Sequence, residues 1–244
     1  MSAATLDYNS KFDRKQSPTI LDLQSIRDLV SPHLRSSEIE SVGLLSGGFM
    51  NSNYRLLLGD GTSLVLRISA RSGDLKKELR VLKYVYGAVP VPAVMAEDFS
   101  GPYPFALIEF IEGTLLSDSL TQLDSGDLTK VAAEAGATLQ AIHSFDLGQA
   151  GFFDENFVFN PAFENFGVGN FLRFEDELPS GFRETFIQGY LSDSNELPEN
   201  WREVAKLLDL AAMVNFLEGE GDAPKSFRTA ISVIEKTIGT VSDG

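Results

Sequence analysis

The first run of apolar residues at helical spacing is Ile20, Leu23, Ile26, Leu29 and Val30, and Pro32 closes it. Residues 1–18 before it are polar and turn-rich, end in Ser17-Pro18, and read as part of a flexible arm spanning 1–19. From Val42 the texture changes to short strands. Asn51–Leu58 and Thr62–Ser69 flank Gly59-Asp60-Gly61, whose Asp-Gly step suits a tight hairpin turn. Leu64, Leu66 and Ile68 alternate with Ser63, Val65 and Arg67, so Arg67 points away from the leucine-rich face. Helical spacing returns over 73–86 through Leu75, Leu79, Leu82 and Val85, with Glu78 on another part of the helix surface. Val94–Phe99 and Phe105–Ile111 are the next strands, on either side of Gly101-Pro102. The pattern predicts an antiparallel sheet with one helix inserted among its strands.

Beyond Gly113 the chain reads as mainly helical. Asp127–His143 carries Leu128, Val131, Ala135, Leu139 and Ile142, a stripe suited to packing in a helical layer. Phe182–Tyr190, Trp201–Leu217 and Lys225–Ile238 are further helices, and Val204, Leu207, Leu208 and Ala211 have the spacing of a buried face. Between 145 and 170 the periodicity fails, and Phe152, Phe153, Phe157, Phe159, Phe163 and Phe166 crowd together. The fold class is α+β: an antiparallel-sheet region over 20–112 and a helical region over 113–240.

Length and composition narrow the functions. A chain of 244 residues with 43% hydrophobic content can build one large domain or two lobes with a real core. A net charge of -15 repels polyphosphate backbones, and the densest basic cluster, Arg71, Lys76, Lys77, Arg80 and Lys83, is interrupted by acidic residues; no nucleic-acid partner is expected. The absence of cysteine excludes disulfides, thiolate catalysis and cysteine-ligated zinc, and two histidines are too few for the usual His-rich metal centres. No charged leader opens the chain, and no apolar stretch approaches the ~20 residues that span a bilayer, so a soluble, cytoplasmic protein without a membrane partner is expected.

Candidate chemistry begins at Leu44-Leu45-Ser46-Gly47-Gly48-Phe49-Met50-Asn51-Ser52-Asn53-Tyr54, at a strand-to-strand turn. Adjacent glycines allow backbone close to a polyanion, and Ser46 or Ser52 could donate a hydroxyl hydrogen bond. By itself the pattern suits a plain hairpin turn as well as a phosphate loop, and it lacks the Lys-Ser/Thr ending of a P-loop. Singly, Arg67 and Glu78 also read as ordinary solvated residues. Together with the glycine turn they match another arrangement, a strand cation tied to a helix carboxylate and held against nucleotide phosphates.

The order Ser46–Tyr54, Leu64-Val-Leu-Arg-Ile68, Leu75-Lys-Lys-Glu-Leu79, Val89-Pro-Val-Pro92 and Leu107-Ile-Glu-Phe-Ile-Glu-Gly113 resembles the small lobe and hinge of the aminoglycoside-phosphotransferase-like and choline-kinase-like kinases. The resemblance implies a protein-kinase-like two-lobed fold and ATP-dependent phosphoryl transfer to a hydroxyl of a small metabolite or drug. It implies that Ser46, Gly47, Gly48 and Phe49 cover the phosphates, that Arg67 stands where the family places a phosphate-contacting cation, and that Glu78 is its partner. The hinge at Glu109 and Ile111 would offer backbone groups to adenine. Leu45, Val65 and Ile108 would pack on the ring, or simply form core. Val131–His143 resembles the first long helix of the large lobe, with His143 in a packing or helix-end role. Asn170–Glu175 and Leu197–Trp201 resemble later segments.

The resemblance is interrupted where the chemistry should lie. The family writes its catalytic loop as His-Gly-Asp-x-x-x-x-Asn and its second magnesium ligand as an Asp-Trp or Asp-Phe step after a strand pair. His143 is followed by Ser144-Phe145-Asp146, Gly151 stands where the asparagine should be, and Asp98-Phe99 lies ahead of the hinge. Neither Asp154-Glu-Asn156 nor Asn160 has the required spacing. The expectation is a large lobe truncated at a junction near 160–170, with no catalytic residue, magnesium ligands missing and ATP binding weak or vestigial. Three readings follow: a phosphotransferase-family protein inactive in this form, a nucleotide-binding pseudoenzyme with a regulatory role, or a structural remnant with no retained binding, the glycine turn, Arg67 and Glu78 favouring the first two.

Overall fold

The computed structural model describes residues 11–13, 17–34, 38–45, 50–69, 71–120, 122–145, 151–153, 159–161, 177–179, 181–191, 197, 199–217 and 223–242. The chain divides into two compact units, one made of Arg14–Glu112 with Phe153–Asn160, the other of Met1–Asp13, Gly113–Phe152 and Pro161–Gly244.

The first unit is built on a five-stranded antiparallel sheet in the order β1-β2-β3-β5-β4, with β1 Ile39–Leu44, β2 Asn51–Leu58, β3 Ser63–Ser69, β4 Val94–Asp98 and β5 Phe105–Glu109. Helix α1, Leu23–Val30, precedes it, and its amino end is capped by Asp22, whose carboxylate accepts the Ser25 N–H at 2.7 Å. Helix α2, Ser72–Val85, carries the chain from β3 to the edge strand β4, and β5 then returns between them.

Strict alternation gives each side of the sheet its own core. Tyr54, Leu56 and Leu58 of β2, Leu64, Leu66 and Ile68 of β3, and Phe105 and Leu107 of β5 pack on Ile26 and Val30 of α1. On the other side, Ala106 and Ile108 of β5 with Val65 of β3 meet Leu75, Leu79 and Leu82 of α2. At the Gly59-Asp60-Gly61 turn, Gly61 takes φ 84°, a value that favours glycine.

Ser52 takes a different place from that of a phosphate donor. It shares the α1-side face with Tyr54, is buried, and accepts the Thr19 N–H at 2.8 Å. The Tyr54 hydroxyl donates to the Thr19 carbonyl at 2.7 Å and accepts the Leu21 N–H at 3.0 Å, fixing the approach to α1. Ser52 is one residue out of phase with the strand face that holds Arg67, and that phase decides its role.

In the second unit the short helix α3, Leu116–Ser119, leads into α4, Ser125–His143, whose first turn is capped by the Asp124 carboxylate on the Gly126 and Asp127 N–H groups. Two three-residue strands, β6 Gly151–Phe153 and β7 Phe159–Pro161, fall where the chain passes between the units and pair only with each other. Helices α5 Phe182–Tyr190, α6 Trp201–Leu217 and α7 Pro224–Ser242 follow.

α4 packs on α5 through paired glycines. A methyl group on Gly136 would sit 2.0 Å from the Phe186 carbonyl oxygen, and one on Gly189 would sit 2.2 Å from that of Ala133. Backbone therefore meets backbone, flanked by Leu128, Val131, Ala135, Leu139, Phe182, Phe186 and Ile187. The line predicted through Leu128 and Leu139 flanks the contact, its deepest points being Ala132 and Gly136, while Ile142 is exposed.

The face predicted for α6 needs correction. Val204, Leu207 and Leu208 are 44, 48 and 37% exposed, whereas Ala205, Asp209 and Met213 are buried. The buried line is offset by one residue, roughly 100° around the helix. A helix apolar over most of its circumference offers two stripes of correct spacing, and spacing alone does not choose between them.

The arm expected over 1–19 also differs where it is described. The Asp13 carboxylate accepts the Lys225 and Ser226 N–H groups at 2.7 and 3.1 Å, capping α7 from the far end of the chain. The Asp13 N–H donates to Ser226 Oγ at 3.0 Å, the Thr229 hydroxyl donates to the Lys11 carbonyl at 2.7 Å, and Lys11 pairs with Glu177. Polar composition here supplies capping groups. Among the described residues no helix is long and apolar enough to cross a membrane.

Candidate functional site

On the α2 side of the sheet, hydrogen-bonded register places Asn53 of β2 opposite Arg67 of β3, and Arg67 opposite Ala106 of β5. Glu78 lies one residue before Leu79 on α2, so burial of Leu75 and Leu79 against the sheet brings its carboxylate beside β3. Arg67 Nη1 forms an ion pair with Glu78, and Nε donates to Asn53 Oδ1 at 3.1 Å. The side chains of Arg67 and Glu78 are 24 and 33% exposed, and burial lowers the Arg67 pKa below the usual guanidinium range. A guanidinium remains charged at neutral pH despite that shift.

This polar group is set into an apolar surface of Val65, Ala106, Ile108, Leu75 and Leu79. A half-buried ion pair contributes little to stability compared with apolar packing in the same place, so its presence there marks a site candidate. A guanidinium has five N–H donors in a fixed fork. With Nε on Asn53 and Nη1 on Glu78, the Nη2 end can meet an anion, and an anionic phosphate fits that chemistry.

Sequence reasoning missed Asn53, although it lies inside the Ser46–Tyr54 string. The available signal was its phase: it alternates with Ser52 and Tyr54 and so shares a face with Arg67. Ser46, Gly47, Gly48 and Phe49 lie outside the described residues, as do Asp146, Asp154, Asn156 and the segment 170–175.

The connector begins where the ladder ends, at the Leu64–Glu109 pair. The Glu109 N–H donates to the Ala93 carbonyl at 2.9 Å, and its carboxylate accepts the Ala93 N–H at 3.1 Å. Glu109 thus ties the Val89-Pro-Val-Pro92 segment to the sheet, and its own N–H is committed. Ile111 follows with its side chain 61% exposed. Val65 and Ile108 lie in the α2-side core; Leu45 donates its N–H to the Asn53 carbonyl at 2.8 Å.

His143 belongs to the helical unit. Its Nδ1 is 2.9 Å from the Tyr190 hydroxyl, and the two rings meet edge to face with centroids 5.6 Å apart. Burial lowers the His143 pKa and raises that of Tyr190. The contact closes the α4–α5 crossing at its carboxyl end.

A five-stranded antiparallel sheet with a helix inserted after β3, a strand cation tied to that helix, and a mainly helical second unit define the protein-kinase-like α+β class. The apoenzyme of macrolide 2'-phosphotransferase MphH from Brachybacterium faecium aligns with a TM-score of 0.56 over 86% of this chain and 98% of that one, at 14% identity. Aminoglycoside phosphotransferase APH(4)-Ia gives 0.46 over 79% and 60%, at 18% identity, and the streptomycin–ATP complex of APH(2'')-IIa gives 0.39 over 53% and 44%, at 17%. The chain spans 44 and 41% of the length of APH(2'')-IIa and APH(2'')-Ib. At such identities the likeness concerns the fold. No curated protein sequence gives a significant match. Residues 41–166, just over half of the chain, match the model of the Phosphotransferase enzyme family, APH, and the chain belongs to that family.

Proposed function

We propose that the chain binds an adenine nucleotide in its sheet unit without transferring the phosphoryl group. On this reading, residues 20–112 form the nucleotide-binding lobe and 113–240 a large lobe shortened near 160–170. Ser46, Gly47, Gly48 and Phe49 cover the phosphates, Arg67 contacts them with Glu78 as its partner, and Glu109 and Ile111 belong to the hinge that meets adenine. The observation that carries the reading is the Asn53–Arg67–Glu78 arrangement, a held guanidinium on a surface that apolar packing alone would leave without charge. The family resemblance implies ATP as the phosphate donor, and the residues here fit its anionic end.

Magnesium fits less well. The sequence contains no His-Gly-Asp triplet, and its Asp-Phe step, Asp98-Phe99, falls at the end of β4, before the hinge. The family match itself stops at residue 166, within the stretch read as the junction. Without an orienting carboxylate and metal ligands, the positioning and electrostatic stabilisation of phosphoryl transfer are both lost. An acceptor in the active relatives of this class is a small hydroxylated metabolite or drug.

The test is a phosphorylation assay with ATP and magnesium against aminoglycosides, choline and simple sugars. No turnover above a protein-free control is expected. Turnover abolished both by EDTA and by Arg67→Ala would overturn the reading and imply recruitment of Asp146 or Asp154.

A further inference from the structure

Arg55 lies two residues after Asn53 on the same face of β2, opposite Val65 of β3. Its side chain leaves the Asn53–Arg67 group and runs the other way, across β3 to the segment after β5. The guanidinium carbon lies 4.1 Å from the centre of the Phe110 ring, Nη2 pairs with the Glu112 carboxylate, and Nη2 also donates to Ser63 Oγ at 3.1 Å. One cation thus grips the first and third residues beyond the last ladder pair, Leu64–Glu109, while the Ser63 hydroxyl steadies it from below.

We propose that Arg55 is a positioning residue that holds Phe110–Glu112 in the backbone geometry required to meet an adenine base. The proposal rests on the nucleotide-binding reading above and deepens it by adding a residue acting on the base end of the site. Past Glu109 the connector has lost the sheet that would fix its dihedral angles. Glu109 is anchored to Ala93 by two hydrogen bonds, but that anchor acts upstream of the groups that would face a base. The grip of Arg55 is the next restraint. An ion pair at an exposed position would by itself contribute little. Combined with stacking over an aromatic face and a hydroxyl acceptor, it fixes the planar guanidinium in one orientation. The two arginines of this face then have separate tasks, Arg67 at the anionic end and Arg55 at the connector.

The separation gives a test on the full chain. Adenosine and ATP are titrated calorimetrically against wild type, Arg55→Gln and Glu112→Gln, and amide hydrogen exchange is followed at residues 110–112. Arg55→Gln is expected to weaken adenosine and ATP by the same factor, about three- to tenfold, leaving the ATP-to-adenosine affinity ratio unchanged. Exchange at 110–112 should quicken by a similar factor. Glu112 is largely exposed, so Glu112→Gln does not endanger folding and should give a smaller loss in the same direction. Unchanged adenosine affinity in both variants, with wild type binding normally, would overturn the proposal while leaving nucleotide binding intact. A loss confined to ATP would make Arg55 a phosphate contact and overturn it too. Wild type that binds neither ligand would overturn the nucleotide reading itself, and this proposal with it.

Discussion

At the residue scale, the arrangement turns on what a guanidinium can do that an ammonium cannot. Arg67 reaches Glu78 with one arm and Asn53 with Nε, so two of its donor directions are fixed by two different elements. A lysine at the same place would carry its donors on one nitrogen and could not fix two separate donor directions in the same way. Replacing Arg67 by Ala should weaken ATP binding roughly ten- to hundredfold, the loss of one charge-assisted hydrogen bond of about 1.5–3 kcal/mol, with adenosine almost unaffected. Titration of both ligands checks this; equal losses would point to a collapsed sheet unit. Asn53→Leu should also weaken ATP, and in an Arg67→Lys background the same change should have much less effect, because no Nε remains for Asn53 to hold. The direction of Arg67 was legible from strand phase, whereas Glu78 is one of several polar residues on its helix and its pairing with Arg67 was implied by the family resemblance. Asn53 was not legible, because an asparagine in a glycine-rich string reads as part of the turn, and only the register identifies its partner.

At the scale of elements, the α4–α5 crossing sets the helical unit. Gly136 and Gly189 sit where any added carbon would strike backbone of the facing helix, which cannot move aside as a side chain can. Gly136→Ala or Gly189→Ala should therefore destabilise the unit by about 1–3 kcal/mol or more, read as a lower melting temperature; a neutral or stabilising outcome would contradict the close crossing. At the end of the same contact His143 is exposed overall, and partial desolvation of its ring beside Tyr190 holds its pKa below the ordinary value of 6.5. The folded state then binds fewer protons than the unfolded state just below that pH, so stability rises with pH through this window and is lost as pH falls. Denaturant midpoints measured from pH 5 to 7.5 should show that slope, and His143→Gln should flatten it. The helices themselves were readable from apolar spacing. Their inward faces were less so: α4 buries Ala132 and Gly136, and α6 turns Ala205 and Met213 inward while Leu207 and Leu208 face out. On α4 close approach selects small residues, which a hydrophobic pattern ranks below leucine.

For the whole molecule, the described residues of the two units differ in the apolar cores they build. The sheet unit has a core on each face, with Ile26, Leu56, Leu66, Leu75, Leu79 and Leu107 all but inaccessible. Among the described residues of the helical unit the buried apolar side chains are Leu120, Ala132, Phe182, Phe186, Ala205, Met213 and Ala230, three of them alanine. Burial of apolar area is worth about 25 cal/mol per Å², so the helical unit has less to oppose its chain entropy. Unfolding should proceed in two steps, the helical unit first, with hydrogen exchange protecting β2, β3 and β5 longest; a single cooperative transition common to both units would contradict this.

Nucleotide binding uncoupled from phosphoryl transfer is tested by the calorimetric affinity for ATP with magnesium and with EDTA. The predicted result is weak binding through Arg67 that changes little between the two conditions, with ATP recovered intact. Binding that tightens strongly with magnesium, or conversion of ATP to ADP during the titration, would contradict it.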